Sequence, residues 1–152
     1  MLTRIDPAVI AAAEAAQRGW RVPASVSIGQ FALESGWGKD MPVGSFNPFG
    51  IKALPGQPSV LARTREFVAG RYVTINAPFR KFDSLLEAFA EHARLLATAP
   101  VYAAAMAALP DVEAFVTAMA EHYATDPHYA PDLMAVINDD GLKAYDAVVT
   151  AA

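Results

Sequence analysis

The chain contains no cysteine, which removes disulfide bridges, thiolate zinc sites and a thiol nucleophile, and leaves the redox compartment open. Charge is sparse as well: only 18% of the 152 residues are charged and the formal net charge is −4. Binding to a nucleic-acid backbone is driven by clustered Lys and Arg, so nucleic acid is not expected as a partner. No uncharged run reaches the roughly 18 residues that a membrane span requires. The opening stretch MLTRIDPAVIAAAEAAQRGW is apolar but carries Asp6 and Glu14, so it does not read as a signal peptide. The three histidines, His92, His122 and His128, fit no HExxH pattern, and neither a glycine-rich phosphate loop nor a Gly-x-Ser-x-Gly elbow occurs. Neither a metal nor another cofactor is expected.

What is present is alanine and apolar periodicity. Hydrophobic residues make up 54% of the chain, and its length suits one domain, residues 1–152, with a single core. Pro7 in a first turn and Gly19 as a stop predict a helix from Asp6 to Gln17. A second helix is predicted from Pro23 to Ser35, with Gly36 in the left-handed capping position. From residue 41 to 82 glycine and proline recur, and the runs VLARTREF and RYVTI, joined by Val-Ala-Gly, predict a β-hairpin lobe. Ser84 to Glu87 forms a capping box for a helix that reaches towards Pro100, and Asp111 opens another that Pro127 must end. Two shorter helical pieces are predicted near Pro131–Asn138 and Leu142–Thr150. The fold class is therefore α+β and mainly α.

One stretch breaks the apolar pattern. In FALESGWGKD a carboxylate, Glu34, stands in the last turn of the second predicted helix. Ser27, Gln30 and Glu34 fall at i, i+3 and i+7 and form one polar stripe, which should face water in a cleft or a partner. The helix dipole and the apolar neighbours Phe31, Leu33 and Trp37 both act to raise the Glu34 pKa. A carboxylic acid that keeps its proton near neutrality can act as a general acid; the bland alternative is a Glu paired with Arg or capping an amide. Between Val60 and Phe82 the cations Arg63, Arg65, Arg71, Arg80 and Lys81 outnumber Glu66, so that stretch is about +4 and the remainder about −8. It is either a solvated hairpin face or a site for an anionic polymer. Trp37 is a sugar platform or a core anchor, with the core favoured because it directly follows the helix stop. Packing alone would bury Tyr123 and leave Tyr129 at the surface.

ALESGWGK, NPFGIKA, FRKFDSLLEAF and YATDPHYA, in that order, resemble the motif series of glycoside hydrolase family 73, the peptidoglycan β-N-acetylglucosaminidases of autolysins, some phage lysins and a flagellar rod protein. The likeness covers roughly Val22 to Val148. It implies a lysozyme-like fold, an α-lobe and a small β-hairpin lobe flanking a substrate groove. It also implies a hydrolase cutting the β-1,4 bond after N-acetylglucosamine in cell-wall glycan. By the resemblance Glu34 is the general acid, and Glu66, the one acidic residue of the hairpin, is the candidate base. Gln30, Asn47 and a tyrosine of the last motif, Tyr123 or Tyr129, are candidates for substrate binding. Asn47 and Gly50 would shape the groove floor, with Phe49 in the core. If Glu66 works through water the reaction inverts; if the substrate's acetamido group attacks, it retains. The rival readings are a lytic transglycosylase or muramidase of the same fold and a catalytically silent wall-binding module. The partner expected is the peptidoglycan glycan strand, met by a monomer in the periplasm or cell wall, as an excised domain or with phage-lysin-type export.

Overall fold

The structure, a computed structural model, describes residues 4–149. Helix α1 (Pro7–Trp20) starts under an Asp6 cap, whose carboxylate accepts from the Ala8 amide at 2.9 Å. It runs past Gly19 and stops at Arg21, which takes the left-handed conformation (φ 69°) and donates its N–H to the Gln17 carbonyl. The stop falls there because Val22 precedes a proline, which disfavours helical geometry, and is itself fully buried. Helix α2 (Ala24–Ser35) ends as expected on left-handed Gly36.

Strands β1 (Ser59–Val68) and β2 (Arg71–Arg80) pair antiparallel from Ser59↔Arg80 to Val68↔Arg71. Ala69 and Gly70, both at positive φ, make the two-residue turn that matches strand twist. β2 is longer than RYVTI and runs through Pro78, which a two-stranded ribbon tolerates because both strands are edges. The loop before the hairpin pins its base: Arg80 donates to the Ile51 carbonyl at 2.8 Å and Ala53 to that of Pro78 at 2.9 Å.

Helix α3 (Leu85–Thr98) follows. Ser84 Oγ accepts from the Glu87 amide, while the Glu87 carboxylate takes the Asp83 amide instead of that of Ser84. A 3-10 turn (Pro100–Tyr102) and the short α4 (Ala103–Ala108) come next; this piece was not anticipated, because with Ala105 alone buried it has no apolar stripe. Asp111 caps α5 (Val112–Tyr123). Helix α6 (Tyr129–Asp139) begins earlier than Pro131, and a 3-10 segment (Leu142–Val149) completes the described chain. The predicted end of that last piece, Thr150, lies outside the described residues.

α2 is the axis of the molecule. Ten of its twelve residues are buried, and α1, α3, α6 and the final 3-10 segment pack around it. Ser25 at its start is tied to Asp146, whose carboxylate accepts from Ser25 N at 2.7 Å and from Ser25 Oγ at 2.6 Å. Gly29 lets α6 come close, since a Cβ there would sit 2.8 Å from Leu133 Cδ1. Phe89 and Phe115 are completely buried in the same core, Phe49 nearly so; burying one such ring contributes about 1.5–3 kcal/mol. The hairpin stands outside this core, so the two bodies leave a groove between them.

Candidate active site

Glu34 reaches the groove because α2 is about to end. Its neighbours in the turn fold tightly: Gly36, Trp37 and Gly38 all have positive φ, and Ser35 Oγ donates to the Phe31 carbonyl at 2.6 Å while accepting from the Gly38 amide at 2.8 Å. The chain thus turns away at once, leaving the Glu34 carboxyl at the wall of a groove of about 610 Å³. Lys52, Glu66, Tyr102, Tyr123 and Tyr129 line the same groove.

The Glu34 side chain is open to solvent on the groove side, yet enough protein surrounds it that desolvation raises its pKa, and a hydrogen bond from Tyr129 partly offsets the rise. Leu33 does not crowd it, being 36% exposed. Tyr129 is buried rather than at the surface, and Tyr123 is half-buried. Their rings lie 5.5 Å apart at 28°. Burial first, then the nearby Glu34 carboxylate, holds the Tyr123 phenol well above its ordinary value. For Tyr129 burial again leads, followed by Tyr123 and Glu34. Both stay protonated, able to donate. The ATDPHY turn places them: Asp126 Oδ1 accepts from the His128 amide at 2.8 Å and its carbonyl accepts from Tyr129 N at 3.1 Å, so Tyr129 opens α6 facing the end of α2.

Two expected sugar contacts prove to lie behind the groove wall. The Ser27–Gln30–Glu34 stripe meets protein, not water, over most of its length. Ser27 and Gln30 are fully buried, and Gln30 Nε2 donates to Tyr129 Oη at 3.0 Å and towards Met119 Sδ at 3.9 Å. Asn47 is buried too, and its amide is fully engaged. Nδ2 donates to the carbonyls of Ile51 and Arg80 at 2.8 and 2.9 Å, and Oδ1 accepts from the amides of Phe49 and Ile51. It fixes the loop that presents Gly50, Ile51 and Lys52 to the groove. Trp37 packs edge-on against Phe31, 6.4 Å between centroids, half-buried and away from this groove.

Glu66 enters the groove from β1. Its Oε1 meets Lys52 Nζ at 2.5 Å. Lys52 was overlooked although it stands in the NPFGIKA motif, and so was Asp126, a third groove carboxylate inside YATDPHYA. Arg63, Arg65 and Arg71 are exposed, Arg65 lying 4.6 Å over the Tyr72 ring. Arg80 instead pairs with Glu91 at 3.5 Å, and Glu91 also binds Arg94. Among the described residues no three His, Asp or Glu side chains gather to hold a metal, and no helix is long and apolar enough to cross a membrane.

Comparison with known proteins agrees with this architecture. A crystal structure of a peptidoglycan hydrolase mutant from Sphingomonas sp. A1 superposes with a TM-score of 0.81 at 38% identity, covering 91% of this chain and 94% of that one. The peptidoglycan hydrolase FlgJ of Salmonella typhimurium is 35% identical over 85% of this chain and 42% of its own length. A probable N-acetylmuramidase of Lactococcus lactis subsp. lactis is 34% identical over 84% of this chain and 31% of its own. The chain thus spans less than half the length of these two relatives. Residues 10–142 match the glucosaminidase family, described as mannosyl-glycoprotein endo-beta-N-acetylglucosaminidase, and the chain belongs to that family.

Proposed function

We propose that this chain is a peptidoglycan hydrolase that cuts the β-1,4 bond after N-acetylglucosamine, with Glu34 as general acid and Glu66 as the base that activates water. The observation that carries the reading is the shared groove: a carboxyl whose pKa is raised by burial on the helical side and a second carboxylate on the hairpin side. The glycosidic oxygen leaves poorly until protonated, and water attacks poorly until a base takes its proton, so both groups are needed. Glu66 is ion-paired with Lys52, and the ionised form is the one that accepts a proton. Tyr123 and Tyr129 donate hydrogen bonds to Glu34 and to the sugar beside it. The chain acts as one glucosaminidase domain and as a monomer, on glycan strands of the periplasm or cell wall.

A relative named as a probable N-acetylmuramidase keeps the second bond of the glycan open as a rival, and the products decide. Mass spectrometry of muropeptides released from purified sacculi should show reducing-end N-acetylglucosamine; reducing-end muramic acid means the muramidase reading, and anhydromuramic ends mean a transglycosylase. Glu34→Gln should lower the rate by about 10²–10⁴-fold without lowering the melting temperature. Retention of more than about a tenth of the rate would remove Glu34 as the acid. Glu66→Gln should also be slow, partly restored by azide, and the wild-type product should invert. A nearly active Glu66→Gln enzyme with retained configuration means that the acetamido group attacks instead.

A further inference from the structure

We propose that Gln30 is a positioning residue: its buried amide occupies the acceptor side of the Tyr129 hydroxyl and so commits that hydroxyl's single proton to Glu34. The inference rests on Glu34 being the acid. Gln30 and Glu34 are one helical turn apart on α2, so both face the start of α6. An amide NH₂ can only donate, and a phenol carries one proton. With Gln30 Nε2 donating to Tyr129 Oη at 3.0 Å, the phenol is an acceptor on that side. Its proton must be used elsewhere, and the Glu34 carboxyl, which lines the same groove wall, is the acceptor whose pKa Tyr129 lowers. The Met119 sulfur, 3.9 Å from the same nitrogen, is an acceptor and favours that orientation of the amide.

The arrangement carries a stability cost. Gln30 Oε1 is buried without a hydrogen-bond partner among the described residues, an expensive state for a carbonyl. Its counterpart appears during the reaction. When Glu34 gives its proton to the leaving oxygen it becomes a carboxylate in a partly desolvated place, and a donor already aimed at it needs no reorganisation. Without Gln30 the phenol can rotate and spend its proton elsewhere.

The test is the pH–rate profile of Gln30→Met, which keeps the length of the side chain and removes the donor. Losing a committed donor destabilises the Glu34 carboxylate, so its working pKa rises and the basic limb of the kcat profile moves to higher pH. At the optimum kcat should fall about 3–10-fold, the worth of one hydrogen bond, with KM unchanged. Tyr129→Phe should shift the limb in the same direction, and Gln30→Met added to it should shift it no further. A basic limb that stays at its wild-type position in Gln30→Met, with Glu34→Gln inactive, overturns the inference and leaves the acid assignment standing; an active Glu34→Gln removes both. If Gln30→Met does not fold, the side-chain amide resonances of Gln30 in the wild-type protein report instead. They should follow the Glu34 titration and cease to do so in Tyr129→Phe, and resonances flat with pH overturn the inference.

Discussion

His92 sits wholly inside α3 with neither ring nitrogen hydrogen-bonded among the described residues, stacked 4.0 Å from the Phe49 ring. Burial disfavours the imidazolium and lowers its pKa to about 3, against about 6.5 in an unfolded chain. Between those values the unfolded state binds a proton that the folded state refuses, so stability falls as pH drops through that window, by about 1.4 kcal/mol per unit from this one group. Denaturant unfolding at several pH values between 4 and 7 should show wild type losing stability relative to His92→Leu as pH falls, because Leu has nothing to protonate; parallel pH dependences would show that His92 does not titrate in this way. At this scale the sequence was informative wherever a residue broke its surroundings. Glu34 stood out because a carboxylate in an apolar helix is costly unless used. The helix stripe and the family resemblance point Gln30 and Asn47 at the sugar, but an amide can be satisfied by protein as well as by water, and two of their partners, Tyr129 and Arg80, are far off in sequence.

Among the elements, the contact that sets the site is α2 against α6, since one carries Glu34 and the other Tyr129. Gly29 makes it close: added atoms there meet Leu133 Cδ1 and also Ile137 Cγ1, 3.1 Å from a Cβ. Gly29→Val should therefore cost about 1–3 kcal/mol in denaturant unfolding by overpacking. It should also lower the rate on sacculi beyond what the unfolded fraction explains, because α6 shifts with Tyr129 on it. A rate that merely tracks the folded fraction would show that the site does not depend on this spacing. Caps and periodicity made α2, α3 and α5 readable in advance, since those signals lie within one turn of the ends they mark. The stop of α1 at Arg21 and the onset of α6 at Tyr129 were not readable. The first is fixed by the buried Val22 and the second by the Asp126 turn. The hairpin's full length was hidden by Pro78, which reads as a strand breaker unless one knows that the sheet has only two strands.

Across the whole molecule, charge is segregated. The hairpin exposes Arg63, Arg65 and Arg71 while the rest of the chain is acidic. Changing all three to Gln should leave the melting temperature in place, as solvated cations add little to stability. Sacculus binding should weaken, with the loss largest at low salt, where the Debye length grows from about 10 Å at 0.1 M towards about 30 Å at 0.01 M. A binding isotherm unchanged across ionic strength would make these arginines an ordinary solvated face. The hairpin also has a geometric side. Lys52 bridges to Phe79, which stands opposite Val60 at the hairpin base, and Glu66 lies six residues farther out, a contour of about 20 Å. That one lysine side chain nonetheless reaches Glu66 means that the ribbon curves back towards the loop that carries Lys52. The loop that Asn47 fixes thus touches the hairpin twice, at its base through Phe79 and at its middle through Glu66.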